Sequence, residues 1–273
     1  QMHAYFTQIE GFRIRYWEGG DGFPVLMLHG VGPGTSTVGN FGPVLELLEE
    51  HFRVIAIDLI GFGDSERKKE GPFFDMDLWV RQGLAVLDHF TGGKRCGLIG
   101  HSLGGALALK IASHAPQVTK ILTSSSIGAS YPLNDTLDAF WTLPRDSDEL
   151  RRIMENMVFN RTAITDEMLE LRWEMLSQPG YGDYFADMFA GDRQALIDAA
   201  VVGDEEAARI TAAITMLHGR NDKPCPADQT TLVVADKLPR ADVILLSECG
   251  HNLPRERTDD YLAAARALFN PQS

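Results

Sequence analysis

Short apolar runs alternate with longer amphipathic segments along the first half of the chain. Apolar runs that end in polar or glycine residues are typical of buried parallel strands, and apolar residues at helical spacing are typical of the helices that join them. The predicted strands are residues 24–29, 53–58, 97–100 and 118–123, and the predicted helices are residues 44–50, 75–90 and 102–114. This alternation predicts a doubly wound, mainly parallel α/β sheet with right-handed crossovers.

The strand pattern disappears between residues 131 and 208, where the chain is helical in pattern and rich in Met, Phe and Trp. Strands resume at residues 214–218 and 243–246, and residues 261–269 form a predicted closing helix. We therefore expect one α/β core, residues 1–130 and 209–273, with a helical cap at residues 131–208. A cap above the ends of the strands would cover a ligand pocket.

Composition narrows the choice of partners. The 273 residues are 44% hydrophobic and 23% charged, as in an ordinary globular protein. Acidic residues outnumber basic ones by 38 to 25, and the net charge of −13 disfavours nucleic acid. No apolar run is long enough for a membrane span, and the first residues lack a secretory pattern. We expect a cytoplasmic protein that acts on a small-molecule substrate and does not bind a membrane. A homo-oligomeric state is compatible with the sequence.

Cysteine usage gives no sign of a metal or a disulfide framework. Cys96, Cys225 and Cys249 are scattered without C-x-x-C spacing. This pattern suits a reducing compartment and predicts neither a zinc cluster nor a cofactor.

The sequence Gly-His-Ser-Leu-Gly at residues 100–104 follows a predicted strand and opens a predicted helix. This is the context that a G-x-S-x-G nucleophile elbow requires, because the serine adopts a strained backbone and its neighbours must be small. Ser102 is therefore the predicted nucleophile.

A serine hydroxyl needs a base, and the base needs a group that orients it. Asp222 follows the predicted strand at residues 214–218, and His251 follows the strand at residues 243–246. The order Ser102, Asp222, His251 is the order expected for a triad in this kind of sheet. Asp58 and Asp64 are rival acids, but both precede the elbow and are better explained as loop tethers.

Acyl transfer also needs donors for the oxyanion. The backbone N–H of Leu103 lies at the start of the helix behind Ser102 and is one candidate. The sequence His-Gly-Val-Gly-Pro-Gly at residues 29–34 follows an earlier strand, and its glycines permit a turn that aims the N–H of Val31 or Gly32 at the same point. The sequence at residues 29–34 lacks the Lys-Ser/Thr ending of a phosphate-binding loop, which disfavours nucleotide binding.

Together these motifs resemble the α/β-hydrolase family over nearly the whole chain, which implies a helical cap inserted after the sixth strand. The stretch at residues 29–34 followed by Asn40, and Met188-Phe189 followed by Arg193, are similar to the meta-cleavage-product hydrolases of aromatic degradation. Those enzymes cut carbon–carbon bonds in 2-hydroxy-6-oxo-dienoates. The resemblance implies that Arg193 holds the dienoate and that Asn40 and His101 belong to the substrate site.

Two positions depart from that family, which has asparagine before the nucleophile and tryptophan after the catalytic histidine. This chain has His101 and Asn252 there. His101 gives an elbow common in esterases and lactonases, so a carboxylesterase or lactonase with the same triad is the alternative function. The alternative from another functional class is a small-molecule receptor, which keeps the pocket of this fold but hydrolyses its ligand only weakly.

Overall fold

The computed structural model describes residues 2–270 and contains an eight-stranded sheet. The strands are β1 (His3–Ile9), β2 (Phe12–Gly19), β3 (Pro24–Leu28), β4 (Arg53–Ile57), β5 (Cys96–His101), β6 (Val118–Ser124), β7 (Ala213–Gly219) and β8 (Ala241–Leu246). They lie in the order β1-β2-β4-β3-β5-β6-β7-β8, and from β4 through to β8 every pair is parallel. This confirms the predicted doubly wound sheet.

The N-terminal hairpin was not predicted. β1 and β2 pair antiparallel around a turn at Glu10 and Gly11, which both have positive φ, and β2 pairs antiparallel with β4. Most side chains of this hairpin are partly exposed, so neither strand carries the continuous apolar run that marks a buried strand.

Twelve α-helices and one short 3-10 turn (Arg161–Ala163) accompany the sheet in residues 2–270. The helices are α1 (Thr37–Leu48), α2 (Met76–Thr91), α3 (Leu103–His114), α4 (Asp135–Phe140), α5 (Ser147–Asn156), α6 (Asp166–Leu176), α7 (Tyr181–Met188), α8 (Arg193–Ala199), α9 (Asp204–Arg209), α10 (Thr231–Ala235), α11 (Leu253–Glu256) and α12 (Thr258–Phe269). Among these residues, no helix combines the length and apolar composition needed to cross a membrane.

Helix α1 begins at Thr37 rather than at the predicted residue 44. Ser36 caps it, since its Oγ accepts a hydrogen bond of 3.1 Å from the N–H of Gly39. Gly39, Gly42 and Pro43 lie among its first seven residues, so the pattern of apolar residues did not reveal the start of the helix. This early start places Asn40 inside the helix, close to the loop that follows β3.

The sheet is covered on both faces. Leu26 and Leu28 of β3 face a core with α2, α3 and the helices α4–α9, whereas Val25 and Met27 face α1 and α12. This alternation within one strand is the two-residue period of a sheet buried on both sides.

The topology brings the loops that follow β3, β5, β6, β7 and β8 to one edge of the sheet. β3 pairs with β5, β5 with β6, β6 with β7 and β7 with β8, all in parallel, so their carboxyl ends meet at that edge. The six helices α4–α9, which we call the insertion (residues 135–209), leave the sheet after β6 and return to it at β7. The division into domains at residues 131 and 208 stays a prediction.

Candidate active site

Ser102 lies on the sharp turn between β5 and α3. Its φ of 57° and ψ of −122° are strained for a residue with a β-carbon, and a hydrogen bond of 2.9 Å from its N–H to Ser124 O holds it there. A Cβ at Gly100 would lie 2.1 Å from Gly104 O, and a Cβ at Gly104 would lie 2.2 Å from Leu28 O. The glycines of the elbow are therefore required by close packing, and Ser102 itself stays half-buried.

Asp222 and His251 meet in the loops after β7 and β8. The Nδ1 atom of His251 lies 3.0 Å from Oδ2 and 3.2 Å from Oδ1 of Asp222, and both side chains are buried. Burial disfavours both charged forms, but the attraction between them prevails: the pKa of Asp222 is lowered and the pKa of His251 is raised well above its usual value. The structure thus supplies an imidazole with an oriented carboxylate partner.

A second histidine contacts the same carboxylate, a role that the sequence analysis did not assign. Nε2 of His218 lies 3.2 Å from Oδ2 of Asp222 and 2.6 Å from Cys225 O, and its Nδ1 lies 2.7 Å from Thr231 Oγ1. The N–H of Cys225 donates to Oδ1 of Asp222 at 3.0 Å. These contacts hold Asp222 in addition to its contact with His251.

The backbone of His251 is held by the insertion and by the sheet. Its N–H donates to Met157 O at 2.8 Å, and its C=O accepts from Ser125 Oγ at 2.7 Å. The ring of Phe140 in α4 meets the His251 ring edge-on, with centroids 6.4 Å apart. The insertion therefore takes part in orienting the imidazole as well as in covering it.

Gly250 should be intolerant of any side chain. A Cβ there would lie 2.8 Å from Met157 O, Phe159 N and Val158 Cα, all backbone atoms of the insertion. We expect Gly250→Ala to lower stability by about 1–3 kcal/mol in urea unfolding and to lower kcat/KM by about tenfold or more through a displaced His251.

The matched control is Gly182→Ala, where a Cβ would meet neighbours only at 3.6 Å or beyond, within a helix that tolerates alanine. That variant should keep wild-type activity. Wild-type kinetics for Gly250→Ala would show that the contact with the insertion does not position His251.

His101 is buried next to the proposed base. Its Nδ1 lies 2.8 Å from Ser124 Oγ, and its ring centroid lies 5.2 Å from that of His251. Burial and the neighbouring His251 lower the pKa of His101 well below its usual value, so its ring is neutral. The substrate contact predicted for His101 stays a prediction.

The loop after β3 touches the nucleophile. A Cβ at Gly30 would lie 3.0 Å from Ser102 Cβ, and the N–H of Gly30 donates to Asn40 Oδ1 at 2.8 Å. Asn40 thus positions this loop through its side-chain oxygen. Its role in the substrate site stays a prediction.

The predicted oxyanion donors lie on this loop and at the start of α3. At Gly32, a Cβ would lie 2.1 Å from Cζ of Phe140, so glycine is needed there to let α4 of the insertion pack on the loop. Val31 and Leu103 are both buried. The assignment of Val31, Gly32 and Leu103 as oxyanion donors stays a prediction.

Arg172 of α6 was missed by the sequence analysis. Its side chain is 1% exposed, and its NH1 donates to Pro33 O at 2.9 Å and Thr35 Oγ1 at 3.1 Å. Nε is buried without a partner, and no carboxylate of residues 2–270 forms an ion pair with this guanidinium. Burial, assisted by the nearby charge of Arg255, lowers the pKa of Arg172 to about 9. A buried cation without an acid partner is costly and is typical of a site that binds an anion.

Arg193 is engaged within the insertion. Its Nε donates to Phe189 O at 3.0 Å, and its NH1 contacts Asp138 O, Asp138 Oδ1 and Thr142 Oγ1 at 2.7–2.8 Å. Because these acceptors already occupy NH1, Arg193 ties α8 to α4. Its predicted contact with a dienoate stays a prediction.

The chain is similar to known hydrolases over most of its length. The alpha/beta hydrolase family matches residues 25–265. A 2-hydroxymuconate semialdehyde hydrolase of Pseudomonas sp. (strain CF600) is 35% identical over 88% of this chain and 84% of that protein. A 2-hydroxy-6-oxo-2,4-heptadienoate hydrolase of Pseudomonas putida is 32% identical over 93% of this chain and 94% of that protein. The crystal structure of a meta-cleavage product hydrolase from Pseudomonas fluorescens IP01 superposes with a TM-score of 0.92 at 28% identity, covering 98% of both chains.

Proposed function

The chain belongs to the alpha/beta hydrolase family, among the meta-cleavage product hydrolases, and on that premise we propose that it hydrolyses a carbon–carbon bond in a 2-hydroxy-6-oxo-dienoate. Ser102, His251 and Asp222 form the proposed catalytic triad. The hydrogen bonds between Asp222 and His251, and the strained elbow that presents Ser102, support this assignment.

The proposed reaction proceeds through an acyl-enzyme. The dienol first ketonises in the pocket, and Ser102 then loses its proton to His251 as its Oγ adds to the carbonyl carbon. The bond between that carbon and the dienoate breaks, and the electron pair leaves as a delocalised carbanion that receives a proton. Water, deprotonated by His251, then cleaves the ester on Ser102 to release the second acid.

The burial of the Arg172 guanidinium without an acid partner is the single observation that favours a dienoate substrate over a neutral ester. The substrate carries a permanent carboxylate and develops further negative charge as its bond breaks. A buried guanidinium that lacks an acid partner, beside the loop that touches Ser102, is suited to pair with that charge. A neutral ester offers no such partner.

The test compares two substrates. A yellow meta-cleavage dienoate should bleach in the presence of the purified chain, with a kcat/KM well above that for a short aryl ester. Rapid ester hydrolysis without bleaching would instead establish the carboxylesterase or lactonase alternative, which the elbow residue His101 favours.

Arg172→Gln should lower kcat/KM for the dienoate by about 100-fold while changing aryl-ester hydrolysis far less, because a buried charge-assisted pair contributes about 3 kcal/mol. Steady-state kinetics on both substrates measure the difference. Arg172→Met should in addition leave the melting temperature equal or higher, since it removes an unpaired buried cation.

Arg193→Gln is the matched control. It breaks the contacts between α8 and α4, so we expect a lower melting temperature and similar losses on both substrates. A dienoate-specific loss in Arg193→Gln, with Arg172→Gln unaffected, would restore the role first predicted for Arg193 and contradict the one proposed here.

The predicted partner is a small-molecule substrate, in keeping with the activities named for the relatives. A homo-oligomeric state and a cytoplasmic location stay predictions.

A further inference from the structure

We propose that Asp222, Cys225 and His251 form an inhibitory binding site for a thiophilic divalent cation such as Zn²⁺. One ligand atom from each residue lies within 4.8 Å of the other two, and all three residues are buried. The cluster joins one sulfur, one imidazole nitrogen and one carboxylate oxygen, which are the three donor types that Zn²⁺ takes from proteins.

The geometry needs only a small adjustment. Zinc bonds of about 2.0–2.3 Å place neighbouring ligand atoms of a tetrahedral site about 3.3–3.6 Å apart. Nδ1 of His251 and Oδ2 of Asp222 already lie 3.0 Å apart, and the sulfur of Cys225 lies within 4.8 Å of its partner atoms, so it has to approach them by at most about 1.5 Å. Three protein ligands leave the fourth position for water.

Among the three cysteines, only Cys225 has such partners. Sγ of Cys249 contacts Gly250 O at 3.6 Å, and Sγ of Cys96 contacts Gln117 O at 3.9 Å; within residues 2–270 neither thiol belongs to a cluster of three possible metal ligands. Sγ of Cys225 instead lies 3.4 Å from Tyr131 Oη and close to the imidazole of His251. The thiol takes no part in the proposed reaction, so the proposed mechanism does not explain why it lies beside the base, and it can act as a metal ligand.

Metal at this site would switch off the base. The cation would bind Nδ1 of His251, the carboxylate of Asp222 and the thiolate of Cys225, and the thiol proton would pass to solvent. The single proton of the neutral imidazole lies on Nδ1 when His251 acts as the base, so metal binding would move it to Nε2. Nε2 would then have no lone pair to accept the proton of Ser102. This inhibitory effect rests on the proposed triad, whereas metal binding itself does not.

Binding is measured first, on the purified full chain, by Zn²⁺ titration against a chromophoric chelator. We expect one Zn²⁺ per wild-type chain, affinity at least about tenfold weaker in Cys225→Ser, and unchanged affinity in the controls Cys249→Ser and Cys96→Ser. With Cd²⁺, the ultraviolet thiolate-to-metal band should vanish in Cys225→Ser alone. Equal affinity in Cys225→Ser, or a loss in Cys249→Ser instead, would overturn the site.

Activity is measured next, with Zn²⁺ and with Mg²⁺ at equal concentration. Zn²⁺ should lower kcat slowly and reversibly, with KM unchanged and full recovery on chelation, while Mg²⁺ should have no effect because it avoids sulfur. Cys225→Ser and the nearly isosteric Cys225→Val should resist Zn²⁺. Persistent inhibition of both variants would refute the proposal.

The two proposals fail in different ways. A chain that turns over neither dienoate nor ester would disprove the proposed function but leave the binding titration to decide the metal site. A chain that is active and binds Zn²⁺ through Cys225 without losing activity would disprove the inhibitory role alone.

Discussion

Ser102→Ala should abolish turnover of the dienoate while leaving its binding intact. Removal of a nucleophilic serine lowers kcat by about 10⁴- to 10⁶-fold in enzymes with this type of triad. Alanine keeps the β-carbon, so the strained turn and its hydrogen bond to Ser124 O should persist. Stopped-flow absorbance should show the bound dienoate and no product.

The control for Ser102→Ala is Ser130→Ala. Ser130 is exposed, and its Oγ contacts Asp198 at 2.7 Å, so its loss should leave kcat unchanged. If Ser102→Ala instead turned over the dienoate at the wild-type rate, the nucleophile would have to be another group. Binding of dienoate by the wild-type chain without turnover would favour the receptor alternative.

Local sequence signals predicted the elbow and the mainly parallel sheet. Glycine positions, a strand before Ser102 and a helix after it are properties of neighbouring residues, so a pattern could reveal them. The same holds for Asp222 and His251, which each follow an apolar run that becomes a strand of the parallel sheet. Their hydrogen bond follows from the topology, because β7 and β8 are adjacent.

Contacts between distant segments could not be predicted in this way. Arg172 looks like a surface arginine in a helix with many charged residues, and only the packing of α6 on the loop after β3 buries it. A Cβ at Gly34 would lie 2.4 Å from Arg172 O, which shows how closely this helix approaches the loop. The sequence resemblance included Arg193, but the acceptors of its NH1, on Asp138 and Thr142, lie in and just after α4, more than 50 residues earlier in the chain.

The insertion contacts both the loop after β3 and the loop that carries His251. It supplies Arg172, which we propose binds the substrate carboxylate, and the carbonyl of Met157, which accepts from the N–H of His251. Oε1 of Glu256 accepts from Phe159 N, Asn160 N and Gly250 N, and so ties the insertion to the histidine loop. A displacement of the insertion would therefore disturb both the proposed anion site and the imidazole.

Asp222→Asn should lower kcat by about 10³- to 10⁴-fold and also move the pH profile. The carboxylate raises the pKa of His251 well above its usual value, and the amide cannot. Burial, which alone lowers that pKa, would then prevail. His251 acts as a base only after it has lost its proton, so kcat/KM rises with pH as His251 titrates. In the wild type this acid limb should lie above the usual pKa of histidine. In Asp222→Asn it should move to lower pH.

The matched control is Asp64→Asn, which removes a partly exposed acid that pairs with Arg15 at 3.0 Å. Its pH profile should coincide with the wild-type profile.

The direction in which the acid limb moves in Asp222→Asn distinguishes two roles for Asp222. If Asp222 only supported the loop, its loss would lower kcat without moving the acid limb, whereas a carboxylate that stabilises the imidazolium must lower the pKa of His251 when it is neutralised. A limb that moves to higher pH would contradict both roles and point to a different acid beside His251.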